Sequence, residues 1–564
     1  MKNHAYLAAI LAANLLLASC NNVTSTEETS TSDIDAITVY TSDATSESGA
    51  EGQPEPSEET SSEETTATDM TAESSGEAEA GAEEKPSHLH FSIERKTKSD
   101  DVPNGDYSYL SMMDVTYDAI TLGEDDASYY PALASALEAM NAAQESDLNA
   151  FRDEYLDDAT EFAENTEDFE YYSGFWDTVS ANIRRADAKY VSILFAESVY
   201  LGGAHGDYWC EGITFDTQTG EELTLDDFVA DKDGLTELIV SKLENITDGM
   251  LDEGWDDLAR EYINGEIEFV VEPYGITFYF PPYSIAPYAA GDFMVTVGFA
   301  EAGDILTGQS SASDTWSMTL SANDSLYCDL DGDGDLENLS IMELHDDDYD
   351  NISGVSISID GAETEFELYA YEIVPTLIHI EDGNTYLYVQ TTGDSDSEDI
   401  EVYKLEGTTV SYVGTASGGV VGLKTGPEVY EDNSYSWCLG QITDPENFRL
   451  QHRTDMLSTY TVYDTYKVGE DGMPVRTGNE YLASFDIELI LKTDLTMRKT
   501  DGSEVTVPSG TTLAIYGTDG ETYCDLKDSD GNVYRVNVTL TPEGEQTIGG
   551  VSVYDIFDGV FYAG

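Results

Sequence analysis

The chain has 564 residues, with 23 Lys and Arg against 114 Asp and Glu, for a formal net charge of −91 and a pI of about 4.1. A field of that sign repels phosphate backbones, and nucleic-acid binding needs basic residues that displace counterions, so DNA and RNA are excluded as partners. Anionic lipid headgroups are repelled as well, so a membrane location needs a separate anchor, while metal ions, amines and basic proteins are favoured.

Chain order begins with a leader. Met1-Lys2-Asn3-His4 precedes a run from Ala5 to Leu17 that is apolar apart from Asn14. The run is too short to span a bilayer and has the layout of a secretory signal. It ends in Leu17-Ala18-Ser19-Cys20, which resembles the bacterial lipoprotein signal. The resemblance implies cleavage after Ser19, leaving residues 1–19 as signal peptide. It further implies a thioether-linked diacylglycerol on Cys20, with palmitate among its acyl chains. Two or more chains hold a protein on a membrane where one does not. The alternative is an ordinary cleaved secretory peptide with a coincidental Cys. The expected address is the extracellular face of the cell membrane, held by lipid.

Residues 20–87 are rich in Ser, Thr, Glu, Ala and Gly. No Lys or Arg occurs between Lys2 and Lys85, and Tyr40 is the one aromatic between Tyr6 and Phe91. Such a segment buries too little apolar surface to offset its chain entropy, and its like charges extend it. It reads as an intrinsically disordered stalk. The four remaining cysteines, Cys210, Cys328, Cys438 and Cys524, lie far apart with no CxxC pair. They read as buried thiols or, outside a cell, as one long-range disulfide whose pairing stays open.

Residues 88–310 read as an α+β domain. The periodicity Leu133, Leu137, Met140, Gln144, Leu148, Phe151, Tyr155, Ala159 predicts a long amphipathic helix after Pro131. Strands are predicted at Tyr190–Leu201, Trp209–Phe215 and Phe293–Phe299. A helix is predicted at Leu235–Ile246, and a hairpin at Ile267–Val271 and Ile276–Phe280. From 316 to 489 short Tyr- and Val-rich strands alternate with Asp-Gly turns at Asp360, Asp382 and Asp471; further such turns fall at Asp501, Asp519 and Asp530. No helix is predicted beyond 316. This part is expected to be all-β, a propeller fragment or meander. Residues 490–564 suggest a small barrel resembling bacterial SH3-type units, a class associated with cell-wall binding. The whole reads as multidomain: stalk, α+β domain, all-β domain, SH3-like β-barrel.

Within the α+β domain, Gly202-Gly203-Ala204-His205-Gly206 follows a strand. Then come Phe215-Asp216 to Gly220, Leu223-Thr224-Leu225-Asp226-Asp227-Phe228, and Tyr283 to Gly291, with Tyr130-Pro131 upstream. This ordered set resembles the extracellular domain pair of the lysozyme-sensing anti-sigma factor family (RsiV), which also precedes the catalytic domain of peptidoglycan deacetylases of the PdaC type. The resemblance implies binding of a lysozyme-like basic protein or of peptidoglycan, with Gly202, Gly203, His205 and Gly206 as a candidate contact loop. Neither a sigma-binding segment nor a deacetylase metal motif accompanies it, and Ser284 stands where relatives often carry Glu or Gln. His205 alone is too little for a zinc site, and no nucleophile-elbow motif accompanies it. A Gly-rich turn with its His bonded to backbone is the plain reading, so no catalytic residue is assigned. The competing reading is a cell-wall hydrolase using His205 and nearby carboxylates; a third is a structural surface spacer.

Asp329-Leu330-Asp331-Gly332-Asp333-Gly334-Asp335-Leu336-Glu337 is the sharpest chemical motif. Carboxylates at positions 1, 3, 5 and 9 converge when glycines allow a tight turn, and Asp335 would add its carbonyl. Six to eight oxygens at 2.3–2.6 Å suit Ca²⁺. The loop resembles the calcium loops of FG-GAP repeats. The alternative is a solvated acidic turn. Asp528-Ser529-Asp530-Gly531-Asn532 lacks the closing acid and reads as a hairpin turn.

Overall fold

In the computed structural model the described residues are 85–563, apart from the short segments 103–109, 167–168, 170–172, 247–250, 252, 266, 308–313, 347–350, 395–396, 426–427, 430–433, 486 and 543. The signal peptide, Cys20 and nearly all of the stalk lie outside the described residues.

The N-terminal layer is built on β1 (Phe91–Asp101), β2 (Ser111–Leu122), a short helix α1 (Glu124–Tyr129) and a long helix α2 (Pro131–Asn165). Pro131 opens α2 at the first helical position, where its missing N–H costs nothing. Then follow β3 (Phe175–Ala186), β4 (Tyr190–Tyr200), β5 (Asp207–Asp216) and β6 (Glu222–Leu223). Because α2 is the crossover, β2 and β3 pair in parallel, while β1/β2, β3/β4 and β4/β5 are antiparallel. The helix packs on β2 through Leu133, Leu137, Leu148 and Phe151. Where β3 leaves β2, Asn141 replaces a ladder partner: its amide donates to the Ile120 carbonyl (2.8 Å) and its oxygen accepts the Ile120 N–H (3.0 Å).

The next layer comprises α3 (Leu225–Phe228), α4 (Lys232–Ile246), α5 (Trp255–Asn264), β7 (Glu268–Val271), β8 (Gly275–Phe280), β9 (Phe293–Gly298) and α6 (Phe299–Ala302). Its three-stranded sheet and helices close one core, with Leu235, Ile239, Leu243, Val271, Ile276, Phe278 and Val295 buried. The expected strands and hairpin are present, but α5 was not anticipated, because its apolar face is only Trp255, Ala259, Tyr262 and Ile263.

Beyond these, the chain is almost wholly β. Strands β10 (Trp316–Thr319), β11 (Asp324–Cys328), β12 (Glu337–His345), β13 (Ile352–Ile359), β14 (Ala362–Ala370), β15 (Glu372–His379), β16 (Thr385–Thr392), β17 (Glu398–Glu406) and β18 (Thr409–Ser417) form two sheets. The sheets are β10-β15-β16-β17-β18 and β11-β12-β13-β14, and they share a core around Leu339, Ile357, Leu377 and Leu387. The six Asp-Gly turns place Gly361, Gly383, Gly472, Gly502, Gly520 and Gly531 at φ between 79° and 84°, a region that L side chains avoid. Most strands from β19 (Gly419–Val421) onward join one large sheet whose core unites Met456, Leu457 and Val462 with Leu489, Ile515 and Phe557, and three short strands at Thr539–Leu540, Gln546–Ile548 and Val551–Ser552 form a separate small sheet. A single helical turn, Val553–Ile556, interrupts a region expected to lack helix; Val553 and Ile556 are both buried there.

One pairing crosses the expected layout. Strands β20 (Glu428–Val429) and β21 (Ser434–Leu439) leave the β-rich region and extend the N-terminal sheet, with β21 pairing β1 from Ile93↔Leu439 to Lys98↔Ser434. Close by, His90 lies between two buried carboxylates: Nδ1 is 3.0 Å from Asp126 and Nε2 3.3 Å from Asp444. Burial alone would lower its pKa, but Asp126 and Asp444 outweigh burial and hold it up at about 9. Deeper, Arg184 on β3 donates to Glu272 after β7 (2.8 Å), both groups buried.

Candidate functional site

Two features bring the motif residues together. The first is the tip of the β4–β5 hairpin. Gly202 (φ 82°) and Gly203 (φ 119°) turn the chain, and a Cβ on Gly202 would press on the Phe175 ring. The turn presents His205 to solvent, with Nδ1–H donating to the Gly206 carbonyl (2.9 Å). That bond places a proton on Nδ1 and leaves Nε2 outside it. No carboxylate or hydroxyl side chain bonds His205 among the described residues.

The second motif segment folds onto the first. Ile285 and Ala286 are buried in the α4–β9 core and anchor the loop after β8. Tyr288 stacks on His205 (centroids 4.2 Å, 23°) and donates its hydroxyl to the Gly206 carbonyl (2.7 Å). Tyr208 meets Tyr288 edge-on at 6.1 Å, and Tyr283 leans on it at 5.5 Å. Tyr283 is 60% exposed at φ 68°. A bulky side chain in the left-handed region costs about 1–2 kcal/mol, strain of the kind found at ligand-contact positions. Burial raises the Tyr208 and Tyr288 pKa values, and the Asp292 and Asp207 carboxylates add to this. The tip is therefore an exposed aromatic patch flanked by acids, of a kind that packs cationic side chains. Ser284 is committed locally: its hydroxyl donates to the Pro281 carbonyl (2.6 Å).

The second feature is the acidic loop between β11 and β12. Buried Cys328 and Leu330 pin its start, and Gly332 (φ 77°) and Gly334 (φ 94°) allow the reversal. Oxygens of Asp329, Asp331 and Asp333 lie within 4.8 Å of one another. Asp329 accepts from the Gly332 and Gly334 amides (2.7 and 3.1 Å), and Glu337 from Leu330 (2.9 Å). Burial raises the pKa values of Asp329 and Glu337, and their acidic neighbours raise them further. Asp335 is exposed and outside the three-carboxylate cluster; its amide donates to Asp333 (2.8 Å). Asp329 and Asp331 also line a cleft of about 490 Å³ with Tyr274, Trp316 and His379. No disulfide joins Cys210, Cys328, Cys438 or Cys524 among the described residues, and Cys328 and Cys524 are buried.

Sequence reasoning found both tip segments and the acidic loop. It did not find the aromatic contacts that join 202–206 to 283–291. The Tyr residues at 208, 283 and 288 were the available signal.

Residues 221–300, which contain α4, α5, β7–β9 and the second tip segment, match the family model described as a protein of unknown function, DUF3298. The chain carries a DUF3298 domain. Its similar solved structures include a DUF3298 family member from Bacteroides fragilis (17% identity, TM-score 0.30, covering 40% of this chain and 96% of that one). Another is a DUF3298 protein from Pseudomonas aeruginosa (16% identity, TM-score 0.26, covering 39% and 95%). No curated protein matches the chain. The DUF3298 match begins just past β5, so the tip joins the DUF3298 domain to the sheet that precedes it.

Proposed function

We propose that the chain is a non-catalytic surface protein, anchored by lipid on Cys20 to the extracellular face of a membrane, that binds a basic protein of the lysozyme kind through the tip. One observation carries the reading: the two segments that resemble the lysozyme-sensing and deacetylase-associated domain pair converge on one exposed aromatic patch around strained Tyr283. The acid-rich surroundings favour a basic partner and speed its encounter. Among the described residues no nucleophile or carboxylate side chain bonds His205, which supports a contact role over a general-base role.

The loop at Asp329, Asp331 and Asp333 is assigned to Ca²⁺, with Glu337 and the Asp335 carbonyl as further donors. Hard oxygen donors in a glycine-bent loop fit that ion.

Calorimetric titration with hen lysozyme tests the main reading. Saturable binding is expected, weakened at least about tenfold by Tyr283→Ser, since exposed aromatic anchors dominate such contacts. Absence of binding, or equal binding by the variant, overturns it.

A further inference from the structure

The face of the N-terminal sheet opposite α2 carries an ordered row of side chains of which the tip uses only Tyr208. Phe175 meets Phe162 of α2 at 5.4 Å, so Trp176 and its alternate neighbours point to the other face. Register then fixes one row across six strands: Tyr435 on β21, Thr97 on β1, Thr116 on β2, Thr178 on β3, Ser198 on β4 and Tyr208 on β5. Five interstrand steps make it about 24 Å long. Thr97 and Thr116 hydrogen-bond each other (2.9 Å) and form the buried floor. Thr178 and Ser198 are half-exposed, and their hydroxyls have no partner among the described residues.

One planar aromatic pair stands at the β21 end of the row and a second lies beside it on β3 and β4. Tyr435 and Trp437 stack at 5.5 Å and 16°, being 36% and 37% exposed. Trp176 and Tyr200 stack at 6.2 Å and 26°. In the adjacent row Arg95 donates to Asp118 (2.7 and 2.9 Å) and to Ser180 (2.9 Å). That ion pair is neutral as a unit, and the Asp114 carboxylate accepts from Ser111 (2.8 Å). On a molecule of charge −91, this face is nearly neutral, hydroxylated and edged by aromatic planes.

We propose that this face binds a neutral, hydroxyl-rich glycan chain laid along the row from Tyr435 and Trp437 to Trp176, Tyr200 and Tyr208. The charge pattern selects the occupant. An anionic polymer is repelled by the molecule as a whole, and a basic protein is drawn to its acidic surfaces, not to the near-neutral one. Ser and Thr hydroxyls both donate and accept, as sugar hydroxyls require, whereas carboxylates only accept. Tyr and Trp supply large apolar planes with a polar edge at low entropic cost, suited to the C–H faces of sugar rings. The length fits an oligosaccharide, not a single sugar. The inference stands apart from the tip reading: it shares only Tyr208 with the tip and concerns a ligand of other chemistry.

The test is titration of the full chain with the N-acetylglucosamine tetramer and with cellotetraose, with tetragalacturonate as the anionic comparison. Saturable binding of a neutral tetramer is expected, with a change in tryptophan fluorescence. Trp437→Ala and Trp176→Ala should each weaken it at least about tenfold. Tyr283→Ser should leave it unchanged, which separates failure here from failure at the tip. Hydrogen exchange of the wild-type chain should show slowing on β21 and β3 when the tetramer is bound, a readout independent of how the variants fold. No saturable binding of either neutral tetramer, equal binding of the galacturonate, or protection confined elsewhere overturns the proposal.

Discussion

Replacing His90 by Asn removes the imidazolium that ties β1 to α1 and to the loop before Phe448. The ring is 23% exposed and contacts Asp126 and Asp444, themselves buried. Burial would raise the Asp444 pKa, but the neighbouring imidazoles, His90 first, hold it below the usual range, as expected if His90 carries charge. With His90 raised from 6.5 to about 9, the shift is worth about 3 kcal/mol at roughly 1.36 kcal/mol per unit. A raised folded-state pKa gives stability that is complete below pH 6.5 and disappears as pH rises through 9. Urea unfolding of wild type and variant at pH 6 and pH 10, followed by fluorescence, measures it. The wild-type advantage should shrink by about 3 kcal/mol between those pH values. An advantage that stays constant would refute the charged-histidine account.

Three further outcomes follow from the same geometry. Asp177 is 1% exposed with one carboxylate oxygen unpartnered, and burial raises its pKa to about 7; Asp177→Asn should therefore stabilise the protein at pH 8 by roughly 1–3 kcal/mol and much less at pH 4, where the buried carboxyl is already protonated. Equal effects at the two pH values would contradict this. Arg184→Met strands Glu272 in the core and should cost about 3–5 kcal/mol in chemical denaturation, and a cost under about 1 kcal/mol would show the pair to be dispensable. At 10 mM Ca²⁺ a loop of millimolar affinity should gain about 1.4 kcal/mol, visible as a raised melting temperature that Asp331→Ala removes; identical melts with ion and with chelator would count against the metal.

Much of the local structure was legible. The Asp-Gly pairs announced six turns because only glycine tolerates the φ they need. Apolar spacing from Leu133 to Ala159 announced α2 because one helical face must meet β2. Partner choice was not legible. Nothing in Ser434–Leu439 says that it pairs with β1 more than 300 residues earlier, because alternation fixes which face of a strand is buried and not which strand lies beside it. The His90 cluster was hidden for the same reason, since Asp126 and Asp444 reach it from distant segments. Of the candidate site, each motif segment was visible, but the stacking of Tyr288 on His205 arises only when β8 and β9 fold against β5.

The central claim is that the tip is where a basic protein docks. Hydrogen exchange of the full chain with and without hen lysozyme tests it most directly. The account predicts slowed exchange confined to residues 202–208 and 283–292. Slowing elsewhere with these segments unchanged, or no slowing at saturating lysozyme, would contradict it.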